Sequence, residues 1–357
     1  GSVELPTGPK DEARRFSIDS TDSSTGCVGQ TPAEYVDTRE YPLLIAFPYG
    51  GGTSEVVMRL WGAYADRHGY ILAAPELLNP MDGGYDASAA QHQQMLGLIR
   101  RLKRGFSVDS DRVFIAGHDI GADVAMDIAT AHPDLFAGVI PIAGIGRKHL
   151  LWTVQNSSRL PWYVIAGTRQ PHYATELMPL LNKLFTRVPS PGRRDFCNAM
   201  VVTYPERGVE AYDEEFPTLF EWMGLQKRTA PSDRIHVTTL RSTDRSWNWI
   251  GLESIEPRFV SLDEPNSRDD RPDARGNLQA EINESGNVIR VKSLPGDAFI
   301  RFSPDIPELD LNKTIRISNN GRRQQVDYQP SLKDLLEDFR ERRDTSRFCF
   351  MKVPIGG

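Results

Sequence analysis

The stretch Gly117-His118-Asp119-Ile120-Gly121 is the part of this chain best suited to chemistry. An apolar run, Arg112–Ala116, precedes it, and a helical pattern over Ala122–Ala131 follows, so a strand enters a sharp turn and a helix leaves it. The flanking glycines permit the strand and helix to approach closely. A residue at the tip of such a turn points its side chain away from the sheet from a strained backbone, and aspartate tolerates positive φ better than most residues. The helix N-terminus behind it favours negative charge. A carboxylate is ionised at neutral pH and needs no base to act as a nucleophile. It can attack an alkyl carbon, but the resulting ester then requires a histidine to activate water.

The chemistry therefore turns on a histidine. There are seven, at 68, 92, 118, 132, 149, 172 and 236. His118 and His132 read as structural, and His92 lies on a helix as a solvated or hydrogen-bonded side chain. Upstream, Pro48-Tyr49 runs into Gly50-Gly51-Gly52, whose backbone N–H groups, with that of Ile120, could receive an anion. Asp82-Gly83-Gly84-Tyr85 forms a loop, and Tyr49, Tyr85 and His118 are candidates for a pocket rim. Cys27, Cys197 and Cys349 are far apart, read as unpaired thiols, and show no metal-ligand spacing. No metal or cofactor is expected.

These residues must be positioned by a frame, and the pattern supplies one. Leu43–Phe47 is a short continuous apolar run, the mark of a strand buried on both faces. Ser54–His68 has helical spacing and stops at Gly69. Further strands are expected at Tyr70–Ala74, Arg112–Ala116, Val139–Ile142, Trp162–Ala166 and Ala199–Tyr204, with helices over Ala89–Arg104, Ala122–Ala131 and from Phe216. Alternation of this kind predicts an α/β fold, a mostly parallel sheet with helices on both faces. Three segments are expected: a polar leader over 1–30 with one edge strand, the α/β domain over 31–230, and a smaller β-rich module over 231–357. In that module strands are expected at His236–Leu240, Ser246–Ile250, Val288–Val291, Ala298–Phe302, Thr314–Ile317 and Phe348–Val353. An Asn319-Asn320-Gly321 turn and a helix over Leu332–Arg342 complete it, and Leu262–Asn277 reads as a connector.

The chain has 357 residues and a formal charge of -6, which argues against nucleic acid as a partner. No apolar run is long enough to span a membrane. The opening Gly1-Ser2 reads as a cloning remnant, so the natural N-terminus is expected upstream, where a targeting signal would not be visible.

The wider context resembles a known group. Thr31-Pro32-Ala33-Glu34-Tyr35, Arg39-Glu40-Tyr41-Pro42-Leu43-Leu44, Asp66-Arg67-His68-Gly69-Tyr70, Phe106–Phe114 and His132–Pro141 resemble the α/β-hydrolase superfamily, specifically bacterial serine esterases and prolyl-oligopeptidase-like peptidases. The likeness runs over about 31–225 and is most specific over 105–145. The short elbow also resembles that of haloalkane dehalogenases and epoxide hydrolases. The first resemblance implies a Ser–acid–His triad, and all three positions have changed: the serine falls on Asp119, the acid on Gln170, and the histidine on Val209, within Glu206-Arg207-Gly208-Val209-Glu210. His172, on the acid's loop, is the one candidate for a relocated base. Triad members act as a unit, so three changes imply loss of acyl transfer. The expected function is a catalytically inactive binding or scaffold module with a small-molecule, peptide or carbohydrate ligand. The alternatives are an Asp119-nucleophile hydrolase of the epoxide hydrolase or dehalogenase type, or residual esterase or peptidase activity.

Overall fold

The computed structural model describes residues 13–22, 24–76, 85–186, 198–263, 275–283, 287–293 and 296–355. Two compact units divide at Thr229 and Ala230.

The first unit is built on an eight-stranded sheet. Its strands are β1 (Arg14–Ile18), β2 (Cys27–Thr31), β3 (Tyr41–Phe47), β4 (Ile71–Pro75), β5 (Val108–His118), β6 (Gly138–Ile142), β7 (Trp162–Gly167) and β8 (Ala199–Tyr204), in the order β1-β2-β4-β3-β5-β6-β7-β8. The pairs β1–β2 and β2–β4 are antiparallel, and every later pair is parallel. The helices are α1 (Ser54–Arg67), α2 (Ala89–Gly105), α3 (Ile120–Ala131), α4 (Leu150–Thr153), α5 (Met178–Phe185) and α6 (Phe216–Leu225). All seven residues of β3 are buried, as a strand covered on both faces requires. Leu44 and Ala46 join Leu72, Phe114 and Ile140 in one cluster with Trp61 of α1 and Phe216 and Phe220 of α6. Leu43, Ile45 and Phe47 alternate to the opposite face and are equally buried. The polar stretch expected as a leader supplies two strands, because Phe16, Ile18, Cys27 and Gly29 alternate inward.

The second unit is a sandwich. One sheet orders β10 (Ser246–Trp247), β11 (Ile250–Leu252), β14 (Ala298–Phe302) and β17 (Met351–Ile355). The other orders β16 (Arg322–Val326), β15 (Ile315–Asn319), β13 (Val288–Ser293), β12 (Gly276–Asn283) and β9 (Arg234–Thr239). A helix, α7 (Leu332–Arg342), precedes β17 and is capped by Ser331, whose hydroxyl accepts from the Asp334 N–H. Ile235, Val237, Leu278, Ile282, Ile289 and Ile317 point into the core with Trp247, Ile300 and Phe302 from the facing sheet. The single strand expected at Ser246–Ile250 is a tight hairpin, turned at Asn248, where φ is 47°. Asn320 and Gly321 both take positive φ, 50° and 91°, and join β15 to β16 as a two-residue turn.

Candidate functional site

Strand order reverses around β3 and β5, and the segments leaving their carboxyl ends, Pro48–Gly52 and Asp119, meet where open α/β sheets place ligands. The elbow glycines are required by contact. A Cβ on Gly117 would lie 2.1 Å from the Gly121 carbonyl oxygen, and one on Gly121 would lie 2.3 Å from that of Pro48. Between them Asp119 sits at φ 52°, ψ −119°, outside the regions open to most side chains. Its N–H donates to the Ile142 carbonyl at 2.9 Å, which anchors the tip to the end of β6.

The Asp119 side chain makes no capping bond within its own helix. It turns instead to the loop after β3, where the Gly50 N–H donates to Oδ2 at 3.3 Å. Gly51, at φ 76°, turns that loop, and the Gly52 N–H closes it on the Tyr49 carbonyl at 2.8 Å. Ile120 opens α3. The expected anion-receiving loop thus lies beside the elbow, with a backbone donor already engaged by the elbow's own carboxylate.

The remaining expected residues fall in different surroundings. Gln170 is buried: its Nε2 donates to the Gly144 carbonyl at 2.7 Å, and its Oε1 accepts from the Gly167 N–H at 3.1 Å. The amide therefore bridges the turns after β6 and β7, a task needing a donor and an acceptor on one side chain. His172 takes a left-handed backbone at φ 59°, is half exposed, and sets its Nδ1 3.1 Å from Glu176 Oε1. Among the described residues no hydrogen bond or ion pair joins an imidazole to Asp119.

Val209 is exposed on a loop held by Arg207, which pairs with Glu210 and Glu214 and lies over the rings of Tyr204 and Tyr212. Those ion pairs hold both glutamates below the usual carboxylate range. Tyr49 is exposed. His118 and Tyr85, expected on the same rim, are instead buried. His118 Nε2 lies 2.9 Å from the Ala211 carbonyl, which can only accept, so this nitrogen carries the proton. Burial holds its imidazole below the usual histidine range, against the opposing pull of that carbonyl and of Asp119. Asp82, Gly83 and Gly84 lie outside the described residues.

Two buried carboxylates on α3 escaped the sequence reading. Asp123, one turn beyond Asp119, accepts at one oxygen from the Ile145 and Gly146 N–H groups at 3.0 and 2.9 Å. Burial pushes its pKa up to about 6, against those donors and Arg147, and the charge on Asp119 pushes the same way. Asp127, a turn further on, accepts from the Tyr85 hydroxyl at 2.5 Å and faces Nε2 of His92 at 3.0 Å and Nε2 of His149 at 3.1 Å. These groups account for where His92 and Tyr85 point: they solvate a carboxylate inside the domain. The signal was present in the sequence, as two acids four residues apart within an apolar helix.

Strand order, elbow and covering helices define the first unit as an α/β-hydrolase fold. No family model matches the chain. A stretch of 115 residues is 26% identical to a probable acetylxylan esterase A from Aspergillus flavus, covering 29% of this chain and 37% of that protein. The chain thus spans little more than a third of that relative's length. Among solved structures, an S-formylglutathione hydrolase from Agrobacterium tumefaciens shares 16% identity over 62% of this chain and 98% of its own, with a TM-score of 0.49. A fluorophosphonate-binding serine hydrolase from Staphylococcus aureus shares 15% over 60% and 99%, with a TM-score of 0.46. The feruloyl esterase module from Clostridium thermocellum shares 11% over 60% and 92%, with a TM-score of 0.47.

Proposed function

We propose that the chain is a hydrolase-fold protein related to serine esterases and peptidases that has lost acyl-transfer chemistry and acts as a binding or scaffold module. The observation that carries this reading is the bond from the Gly50 N–H to Asp119 Oδ2. In a serine hydrolase, backbone donors beside the elbow receive the oxyanion of the tetrahedral intermediate. Here a side-chain anion uses such a donor. The positions that would hold the base and its acid support the same reading: Val209 cannot carry a proton, and the Gln170 amide is committed to two backbone groups. The stretch shared with the probable acetylxylan esterase favours a carbohydrate as the ligand.

The test is turnover by the purified chain and by Asp119→Ala. The substrates are p-nitrophenyl acetate and butyrate, a dipeptidyl p-nitroanilide, styrene oxide and 1-chlorobutane. Rates at background for both proteins are expected. Hydrolysis of any of them that disappears in the variant would overturn the proposal, and turnover of the last two would assign Asp119 as a nucleophile.

A further inference from the structure

The outward face of the second unit's five-stranded sheet carries a pattern that its fold does not need. Opposed residues on neighbouring strands share a face, so register places Arg234, Glu281, Arg290, Ser318 and Arg323 in one row across five strands. His236, Gln279 and Lys292 form the next row, and Arg316 stands on the opposite side of the first. Among the described residues the face therefore bears five cations, Arg234, Arg290, Lys292, Arg316 and Arg323, against two carboxylates, Glu281 and, just past β16, Asp327, which accepts from the Thr314 hydroxyl at 2.7 Å, on a chain whose overall charge is -6. Glu281 is taken by Arg234 at 2.8 Å. Arg290 and Lys292 are exposed, and neither is in an ion pair among the described residues.

These two cations line a cavity of about 570 Å³ with Asn277, Gln279, Ser318 and Asn320, a volume in the range of small-ligand sites. The polar lining is held in place. The Asn277 side-chain carbonyl accepts from the Thr238 hydroxyl at 3.1 Å, which turns its NH₂ group to the donor role, and Asn320 Nδ2 donates to the Ser293 carbonyl at 2.8 Å.

We propose that this face binds an acidic polysaccharide through its carboxylates. A guanidinium fork matches a carboxylate with two parallel hydrogen bonds, and the neighbouring amides and hydroxyl suit ring hydroxyls. Positions two apart on a strand lie about 7 Å apart, and positions two strands apart about 10 Å. The cations are thus spread as a lattice suited to charges recurring along a chain, rather than gathered on one small anion. The described lining holds no aromatic ring, and single-stranded nucleic acid is held largely by base stacking on such rings. The assignment is independent of the reading given to Asp119.

The test is affinity electrophoresis of the full chain in gels containing polygalacturonate, heparin or neutral xylan, with fluorescent oligo(dT) binding in parallel. Polygalacturonate is expected to retard the protein most, and less at higher salt. Loss of two exposed ion pairs in Arg290→Gln/Lys292→Gln should weaken that binding about tenfold, with circular dichroism and melting unchanged because both side chains are in solvent. Arg290→Lys, which keeps the charge and loses the fork, should weaken it measurably. No retardation by polygalacturonate, unchanged binding by the double variant, or equal or tighter binding of heparin or oligo(dT) would each overturn the proposal.

Discussion

Asp123→Asn should make the chain more stable, and only above the acid range. Asp123 is 2% exposed and ionises with difficulty because its charge is removed from water. Its pKa rises from 3.8 to about 6, and at about 1.4 kcal/mol per pKa unit the ionised form costs the folded state about 3 kcal/mol. The sign follows from the direction of the shift. The folded protein holds this proton more tightly than the unfolded chain, so the contribution to stability is fully present below pH 3.8 and is lost as pH rises through 6. Asparagine imitates the protonated acid, and its carbonyl oxygen can still accept from the Ile145 and Gly146 N–H groups, which both address one oxygen of the native side chain. Urea unfolding of the two proteins, compared at each pH so that other titrating groups cancel, should give near-equal stabilities at pH 4. By pH 7.5 the variant should lead by up to about 3 kcal/mol. A gap that stays flat with pH, or that favours the native protein as pH rises, would refute the argument that burial dominates this carboxylate.

Gly117→Ala places a methyl 2.1 Å from the Gly121 carbonyl oxygen, backbone against backbone, and should cost more than about 3 kcal/mol, read as a large fall in melting temperature or in soluble yield. Gln170→Glu removes the donor to the Gly144 carbonyl and sets a carboxylate against it, which should lower stability by about 1–3 kcal/mol in urea unfolding. Val209→His alters an exposed loop position, so stability should stay within about 0.5 kcal/mol and ester turnover should remain at background.

The first unit was legible where burial is two-sided. Leu43–Phe47 and Trp162–Ala166 are continuous apolar runs because both faces of their strands are covered, and the structure sets β3 and β7 there. One-sided strands were harder. In β12 the inward residues Leu278, Ala280 and Ile282 alternate with Gln and Glu, so no strand is expected there from the sequence, and β16 presents mostly arginine and glutamine. Asp119 was visible because its neighbours form a local motif. Its bond to Gly50 was not, because the partners are 69 residues apart and meet through strand order. The Asp127 cluster was hidden for the same reason, since Tyr85, His92 and His149 reach it from separate segments.

The Gly50–Asp119 bond bears on more than one missing residue. Suppose Gln170→Asp and Val209→His restored a working acid and base while Asp119 remained. An ester carbonyl polarising toward an oxyanion would still develop negative charge beside an existing carboxylate, at the donor that carboxylate already uses. Two unit charges about 4 Å apart at an effective dielectric of about 20 repel by about 4 kcal/mol, on the order of a thousandfold in rate. The double variant should therefore stay at background in a p-nitrophenyl acetate assay. Adding Asp119→Ser supplies the hydroxyl nucleophile that the double variant lacks, removes the repulsion and frees the Gly50 N–H, so the triple variant is the one in which turnover can exceed the double variant's. Activity in the double variant equal to that in the triple would mean that the carboxylate does not obstruct the site.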